Sequence, residues 1–105
     1  MSEEVVARLD RVDDVATVTL TGEVDVATVG QVRSALAEAI AAGPRSVVVD
    51  LFALSFIDST GLGALIFGFQ RARDAGVPFR LARPTSGVRQ ILVVSGVLEV
   101  VELED

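Results

Sequence analysis

Two hydroxyls stand between a carboxylate and a glycine at Asp58-Ser59-Thr60-Gly61, directly ahead of Leu62, Leu65, Ile66 and Phe69, an apolar run at helical spacing. A serine in that setting has two ordinary uses. It can cap the helix, because Ser and Asp are the residues expected before such a run. It can also act as a nucleophile, provided that a base takes its proton, usually a histidine and sometimes a lysine. The 105 residues contain no histidine, and all nine basic residues are arginine, which stays protonated at any useful pH. There is no Gly-x-x-x-x-Gly-Lys phosphate loop and no Gly-x-Ser-x-Gly elbow. No catalytic residue is expected, and a small hydrolase or nucleotide-binding enzyme is the reading with least support. Cysteine is absent too. Disulfides, thiol chemistry and Cys-ligated metals are thereby excluded, and neither a metal nor another cofactor is expected.

The hydroxyl pair must be held by what flanks it. Val47-Val48-Val49, closed by Asp50 and Leu51, is short, β-branched and apolar throughout, the pattern of a strand buried on both faces in a parallel sheet. A loop carrying Phe52, Leu54 and Phe56 is expected to lead on to Asp58. The helix beyond should run to about Ala75, with Arg71 and Arg73 suiting its negative end and Gly76 and Pro78 stopping it. Gly61 and Gly63 cost this helix about 1 kcal/mol each against alanine. Such glycines make sense where something approaches the backbone closely.

Ahead of this unit, Val5 to Arg11 alternates and reads as a strand with one wet face. Val15 to Thr21 alternates again, with Ala16, Val18 and Leu20 inward, and Asp13-Asp14 is a tight turn between the two. Gly22-Glu23-Val24-Asp25 ends the second strand, and Asp25 is placed to cap a helix that lays Val29, Val32, Leu36 and Ile40 on the sheet. Gly43 and Pro44 stop that helix. After the central unit come a short strand, Phe79 to Ala82, and a helix opening at Pro84-Thr85-Ser86 with Val88, Ile91 and Leu92 inward. That helix ends at Ser95-Gly96, and Leu98 to Leu103 reads as a final edge strand. The order is ββαβαβαβ. It predicts an α/β fold and a single domain over residues 1–105, with a mixed sheet of about five strands. An N-terminal hairpin is followed by parallel strands and crossover helices.

Parallel strands open their C-terminal ends on one edge of the sheet, where α/β proteins place their working loops. Gly22 to Asp25, Phe52 to Gly61 and Arg83 to Ser86 are therefore expected side by side. Asp25, Asp58, Ser59, Thr60 and Gly61 should form one rim, with Gly63 and Phe67 adding a small apolar surface for a partner to cover. The plain alternative is that the acids are caps and solvated loop charges, and that Phe67 belongs to a helix largely surrounded by core.

The formal net charge of -6 argues against nucleic-acid binding, which needs a cationic surface. No apolar run approaches the roughly 20 residues of a membrane span, so direct membrane insertion is not expected. The acidic opening Met1-Ser2-Glu3-Glu4 is unlike a secretory leader. A soluble cytoplasmic protein, monomeric or weakly dimeric, is the inference.

Three pieces together resemble the STAS-domain family, specifically bacterial anti-sigma factor antagonists. They are Gly22-Glu23-Val24-Asp25 before the first helix, the strand-loop VVVDLFALSFIDSTGLG, and Arg83-Pro84 through Gly96 before the last strand. The central motif is fairly specific; the other two are weak alone but fall at the right spacing. The resemblance covers nearly the whole chain. It implies a small module that binds an anti-sigma factor, itself a serine kinase, and so frees a sigma factor. It implies that Ser59 accepts phosphate from that kinase, that the phosphorylated form lets go, that a phosphatase restores the free form, and that Asp25 lies on the binding face. Members often continue into a further C-terminal helix, which has no counterpart after Asp105. STAS-like domains also serve as subunits of sensory assemblies or membrane transporters, which is the alternative reading.

Overall fold

Asp13 and Asp14 adopt left-handed dihedrals (φ 51° and 64°) and turn the chain between β1 (Ala7–Val12) and β2 (Val15–Val24). The two strands pair antiparallel from Val12 opposite Val15 to Ala7 opposite Leu20. This computed structural model describes residues 4–104. As the alternation requires, Ala16, Val18 and Leu20 are buried; ahead of β1 it is Val6 that enters the core, while Val5 is exposed.

From β2 onward the strands run parallel. α1 (Val29–Ala41) leads to β3 (Ser46–Ile57) and α2 (Ser59–Asp74) to β4 (Phe79–Ala82). α3 (Ser86–Ser95) leads through a 3₁₀ turn at Val97–Glu99 to β5 (Glu102–Glu104). The five strands lie in the order β1-β2-β3-β4-β5 in one mixed sheet. The ββαβαβαβ order is as expected. α1 buries Val32, Leu36, Ala39 and Ile40, with Val29 half-buried at its start. Each of the large aliphatics contributes about 1.5 to 3 kcal/mol of burial before entropy is subtracted.

Three segments differ from expectation. First, β3 does not give way to a loop after Leu51 but continues as strand to Ile57. Asp50 lies opposite Thr19 but Ala53 opposite Thr21, and Leu54 opposite Gly22 but Phe56 opposite Glu23. Each shift inserts one extra residue on β3, a β-bulge. Inward side chains consequently fall at Leu51, Leu54 and Ile57, every third position, and Phe52, Ala53, Ser55 and Phe56 are exposed.

Second, α2 buries Gly61, Ala64, Leu65, Gly68 and Ala72, whereas Leu62, Ile66 and Phe69 are only half-buried. At Gly61 and Gly68 the helix lies too close to its neighbours for a side chain. A Cβ on Gly68 would stand 2.8 Å from Leu36 Cδ1 and 3.2 Å from Phe79 Cε2. Third, the expected strand Leu98 to Leu103 shrinks to β5. Gly96, left-handed at φ 84°, starts a 3₁₀ turn that buries Val97 and Val101 four residues apart, with the Val101 N–H bonded to the Val97 carbonyl at 2.9 Å. Among the described residues no helix is long and apolar enough to cross a membrane.

Candidate functional site

β2 and β3 deliver their last residues together: Val24 lies opposite Ile57, and the Asp58 N–H donates to the Val24 carbonyl at 3.1 Å. Asp25 and Asp58 are thus the next residues out from paired strand ends. β4 stops much earlier, since its last residue, Ala82, lies opposite Asp50. The expected three-loop cluster therefore divides. The β2 and β3 junctions meet at the far rim, whereas the Arg83–Ser86 turn sits where β3 is only part-way along its length. The reason is the bulged extension of β3, which carries the β2–β3 pair beyond β4 by five further residues of β2, about 16 Å of strand.

Asp58, and not Ser59, is the N-cap of α2. Its Oδ1 accepts from the Thr60 N–H at 2.9 Å, the Gly61 N–H at 3.1 Å and the Thr60 hydroxyl at 2.6 Å. The Thr60 hydroxyl, with the Gly61 N–H, holds the Asp58 carboxyl below the usual carboxylate value. With the cap supplied by its neighbour, Ser59 becomes the first helical residue; it is exposed, and its hydroxyl has no hydrogen-bond partner among the described residues. Thr60 is half-buried, with its hydroxyl engaged by Asp58.

Asp25 does not cap α1 in the expected way. Its Oδ1 accepts from the Ala27 N–H at 3.0 Å and the Thr28 N–H at 3.2 Å, closing a turn that precedes the helix. The Thr28 hydroxyl donates to the Glu23 carbonyl at 3.1 Å and accepts from the Asp25 N–H at 3.1 Å. This web orients the half-buried Asp25 beside the rim and lifts Val26 to the tip of the turn, 77% exposed.

Gly61 and Gly63 separate into different roles. A Cβ on Gly61 would stand 2.5 Å from Ile57 Cγ1 and 2.9 Å from Val24 Cγ1. The close approach this buried glycine permits is thus made by the chain's own core. Gly63 is exposed, and the nearest atom to a Cβ there would be Arg33 Nη2 at 3.9 Å. Ser59, Gly63, Phe67 and Arg71 follow one another at intervals of four along α2 and so share a face. Phe67 stands about 12 Å along the axis from Ser59. Its half-buried ring lies between two guanidinium groups, Arg33 at 5.1 Å and Arg71 at 5.5 Å. Each contact of this type contributes roughly 0.5 to 1 kcal/mol at an exposed site. The expected apolar surface is accordingly an aromatic ring flanked by cations.

Sequence reasoning passed over three groups that shape this region: Arg33, Val26 and the Phe52–Arg83 pair. Phe52 is 66% exposed and has the Arg83 guanidinium 5.0 Å over its ring. Arg83, left-handed at φ 56°, also bonds Asp50 through Nη2 at 2.5 Å and Nε at 3.3 Å. Burial pushes the Asp50 carboxyl up, but Arg83 and the Phe52 N–H outweigh it and hold the group below its ordinary value. An open groove of about 630 Å³ lies at the opposite ends of α1 and α2, lined by Ala37, Ile40, Arg71 and Val77. Among the described residues no cluster of acidic side chains is placed to hold a metal ion.

A family model described as the STAS domain matches residues 7–105. BtrV of Bordetella bronchiseptica, whose name places it with the anti-sigma factor antagonists, is 29% identical over 92 residues, covering 88% of this chain and 79% of that protein. The crystal structure of an anti-sigma factor antagonist from Mycobacterium paratuberculosis superposes with a TM-score of 0.84 at 24% identity, over 92% of this chain and 82% of the other. The anti-sigma factor antagonist SpoIIAA in its unphosphorylated form superposes with a TM-score of 0.78 at 25% identity, over 94% of this chain and 88% of the other. SpoIIAA from Bacillus in its phosphorylated form gives a TM-score of 0.71 at 24% identity, over 94% and 91%.

Proposed function

The chain belongs to the STAS-domain family, and from that premise we propose that it is a single-domain anti-sigma factor antagonist, switched by phosphorylation at Ser59. It binds an anti-sigma factor that is also a serine kinase, through Asp25, Asp58, Ser59, Thr60, Gly63 and Phe67, with Gly61 shaping the surface from beneath. Binding frees a sigma factor. The relatives' names support the antagonist role, and SpoIIAA, known in both unphosphorylated and phosphorylated forms, supports the switch. The observation that carries the reading is the exposed Ser59 hydroxyl at the start of α2, without a partner among the described residues and freed from capping by Asp58.

The chemistry belongs to the kinase, because this chain has neither the histidine nor the lysine that ordinarily activates a serine. The Ser59 oxygen attacks the terminal phosphorus of ATP, the bond to the bridging oxygen breaks, ADP leaves, and the hydroxyl proton passes to a base of the kinase. A phosphatase reverses the modification by hydrolysis, releasing inorganic phosphate. The module is a cytoplasmic substrate and not an enzyme, and it acts as a monomer or weak dimer without nucleic acid.

The added group carries about -1.5 to -2 charges. The dipole of the α2 N-terminus favours it by about 0.3 to 1 kcal/mol, with the Thr60 and Gly61 N–H groups already taken by Asp58. Asp58 and Asp25 offset part of that, so the fold barely responds. In a docked interface the phosphate would be desolvated against a surface shaped for a hydroxyl. An unpaired buried charge costs roughly 3 to 5 kcal/mol, which is about a hundredfold to several-thousandfold in affinity. Exclusion is enough to work the switch. Incubation with the partner kinase and ATP, followed by peptide mass mapping, should place the phosphate on Ser59 and leave Ser59→Ala unmodified. Phosphate on Thr60, or on neither residue, contradicts the reading.

A further inference from the structure

Arg33 is exposed on α1, and its guanidinium rests over Phe67 with Nη2 3.9 Å from where a Cβ on Gly63 would stand. Gly63 is one helical turn from Ser59, and side-chain origins so related lie about 5 to 6 Å apart. Residue 63 puts no side chain between that guanidinium and the start of α2. Arg33 also lacks a carboxylate partner among the described residues, although the chain carries a net charge of -6 and Arg8, Arg11, Arg80 and Arg83 are each ion-paired. Its only tie among the described residues is to an aromatic face. A phosphate is a stronger attraction for a guanidinium, since it accepts two parallel N–H bonds and bears the opposite charge.

We propose that Arg33 is the intrachain receptor for a phosphate on Ser59, swinging from the Phe67 ring across the gap left by Gly63 to bind the phosphoryl oxygens. This rests on the reading of Ser59 as the modified residue and adds a second consequence of the modification. The phosphate gains a counter-charge that offsets repulsion from Asp58 and Asp25. At the same time the cation leaves Phe67, so one modification changes two points of the proposed partner surface, two helical turns apart. Phosphorylation then withdraws a contact as well as adding an obstacle.

The test needs no kinase if phosphoserine is installed at position 59 during synthesis. The phosphorus resonance is followed through the pH range in which the monoanion becomes the dianion, in the parent, Arg33→Ala, Arg33→Lys and Arg71→Ala proteins. A nearby cation favours the dianion, so the parent midpoint should lie below that of Arg33→Ala by about 0.2 to 0.7 pH unit, the range for an exposed ion pair. Arg33→Lys should recover part of the shift. Arg71, about 18 Å along α2 from Ser59, should have no effect when replaced. Coincident midpoints for parent and Arg33→Ala overturn the proposal. So does an equal shift from Arg71→Ala, which reveals only the general field of the surface. Failure of the functional reading shows separately, as absence of phosphate on Ser59 after incubation of the unmodified parent with kinase and ATP.

Discussion

The chain twice runs from a strand through an aspartate into a helix, at Asp25–Thr28 before α1 and at Asp58–Thr60 before α2, and the two junctions treat their hydroxyls differently. At the first, the Thr28 hydroxyl bonds to the Glu23 carbonyl, the Asp25 N–H and the Asp25 carboxylate. At the second, the Thr60 hydroxyl takes the structural role with Asp58, and the Ser59 hydroxyl is left over, pointing to solvent without a partner among the described residues. A third junction follows the first pattern, with the Thr85 oxygen accepting from the Val88 N–H at 3.3 Å to cap α3. A hydroxyl at a strand–helix junction is ordinarily consumed by the backbone. Ser59 is spared because aspartate and threonine on either side have already met the local demand, and Ser86, exposed just after the Thr85 cap, is likewise left without a partner among the described residues. Availability to another molecule comes from this redundancy.

Changes at the two glycines of the α2 junction should have the largest effect on stability, and of opposite sign. Gly61→Ala forces a Cβ to within 2.5 Å of Ile57 Cγ1, and overpacking of this kind costs about 1 to 3 kcal/mol. Gly63→Ala meets only an ordinary contact with Arg33 and should gain up to about 1 kcal/mol from helix propensity. Urea unfolding of the pair checks both signs. Next in size is the contrast between hydroxyls. Thr28→Val removes a web of bonds and should cost roughly 1 kcal/mol, whereas Ser59→Ala should stay within about 0.5 kcal/mol of the parent. Equal losses would mean that Ser59 is tied down after all.

The smallest effect is in the acid limb of stability. The Asp58 carboxyl is held down in the folded state by the Thr60 hydroxyl and the Gly61 N–H. Its contribution is therefore present above the unfolded value near 3.9 and is lost as pH falls through the lowered folded value. Asp58→Asn keeps a good capping group but cannot titrate, so its stability should decline less between about pH 5 and 2. Parallel decline of the two proteins would show that the cap does not depend on charge.

How much of this was legible in the chain follows from what each residue type reveals. Alternation at Ala16, Val18 and Leu20 and the paired aspartates of the β1–β2 turn state their structure directly, as do Thr85 and Gly96 at the ends of α3. Beyond Asp50 the signal fails because two bulges move burial onto Leu51, Leu54 and Ile57, a period that belongs to neither helix nor flat strand. The buried face of α2 is hidden for another reason. Gly61, Ala64, Gly68 and Ala72 pack by being small, and a search for large apolar residues selects Leu62, Ile66 and Phe69 instead. The site was half legible: Asp58-Ser59-Thr60-Gly61 stands out as a motif, but which member caps and which is free depends on hydrogen bonds. Arg33 leaves no local sign, because its place beside Gly63 and Phe67 is set by packing of α1 against α2.

The most direct measurement is calorimetric titration of the proposed partner kinase with three forms of the protein: parent, Ser59→Ala, and protein carrying phosphoserine at position 59. Similar affinity is expected for the first two, release by ATP for the parent only, and binding at least about a hundredfold weaker for the phosphorylated form, with thermal stability nearly unchanged. Undiminished affinity in the phosphorylated form, or a loss of affinity matched by a loss of fold, would contradict a switch that works by exclusion.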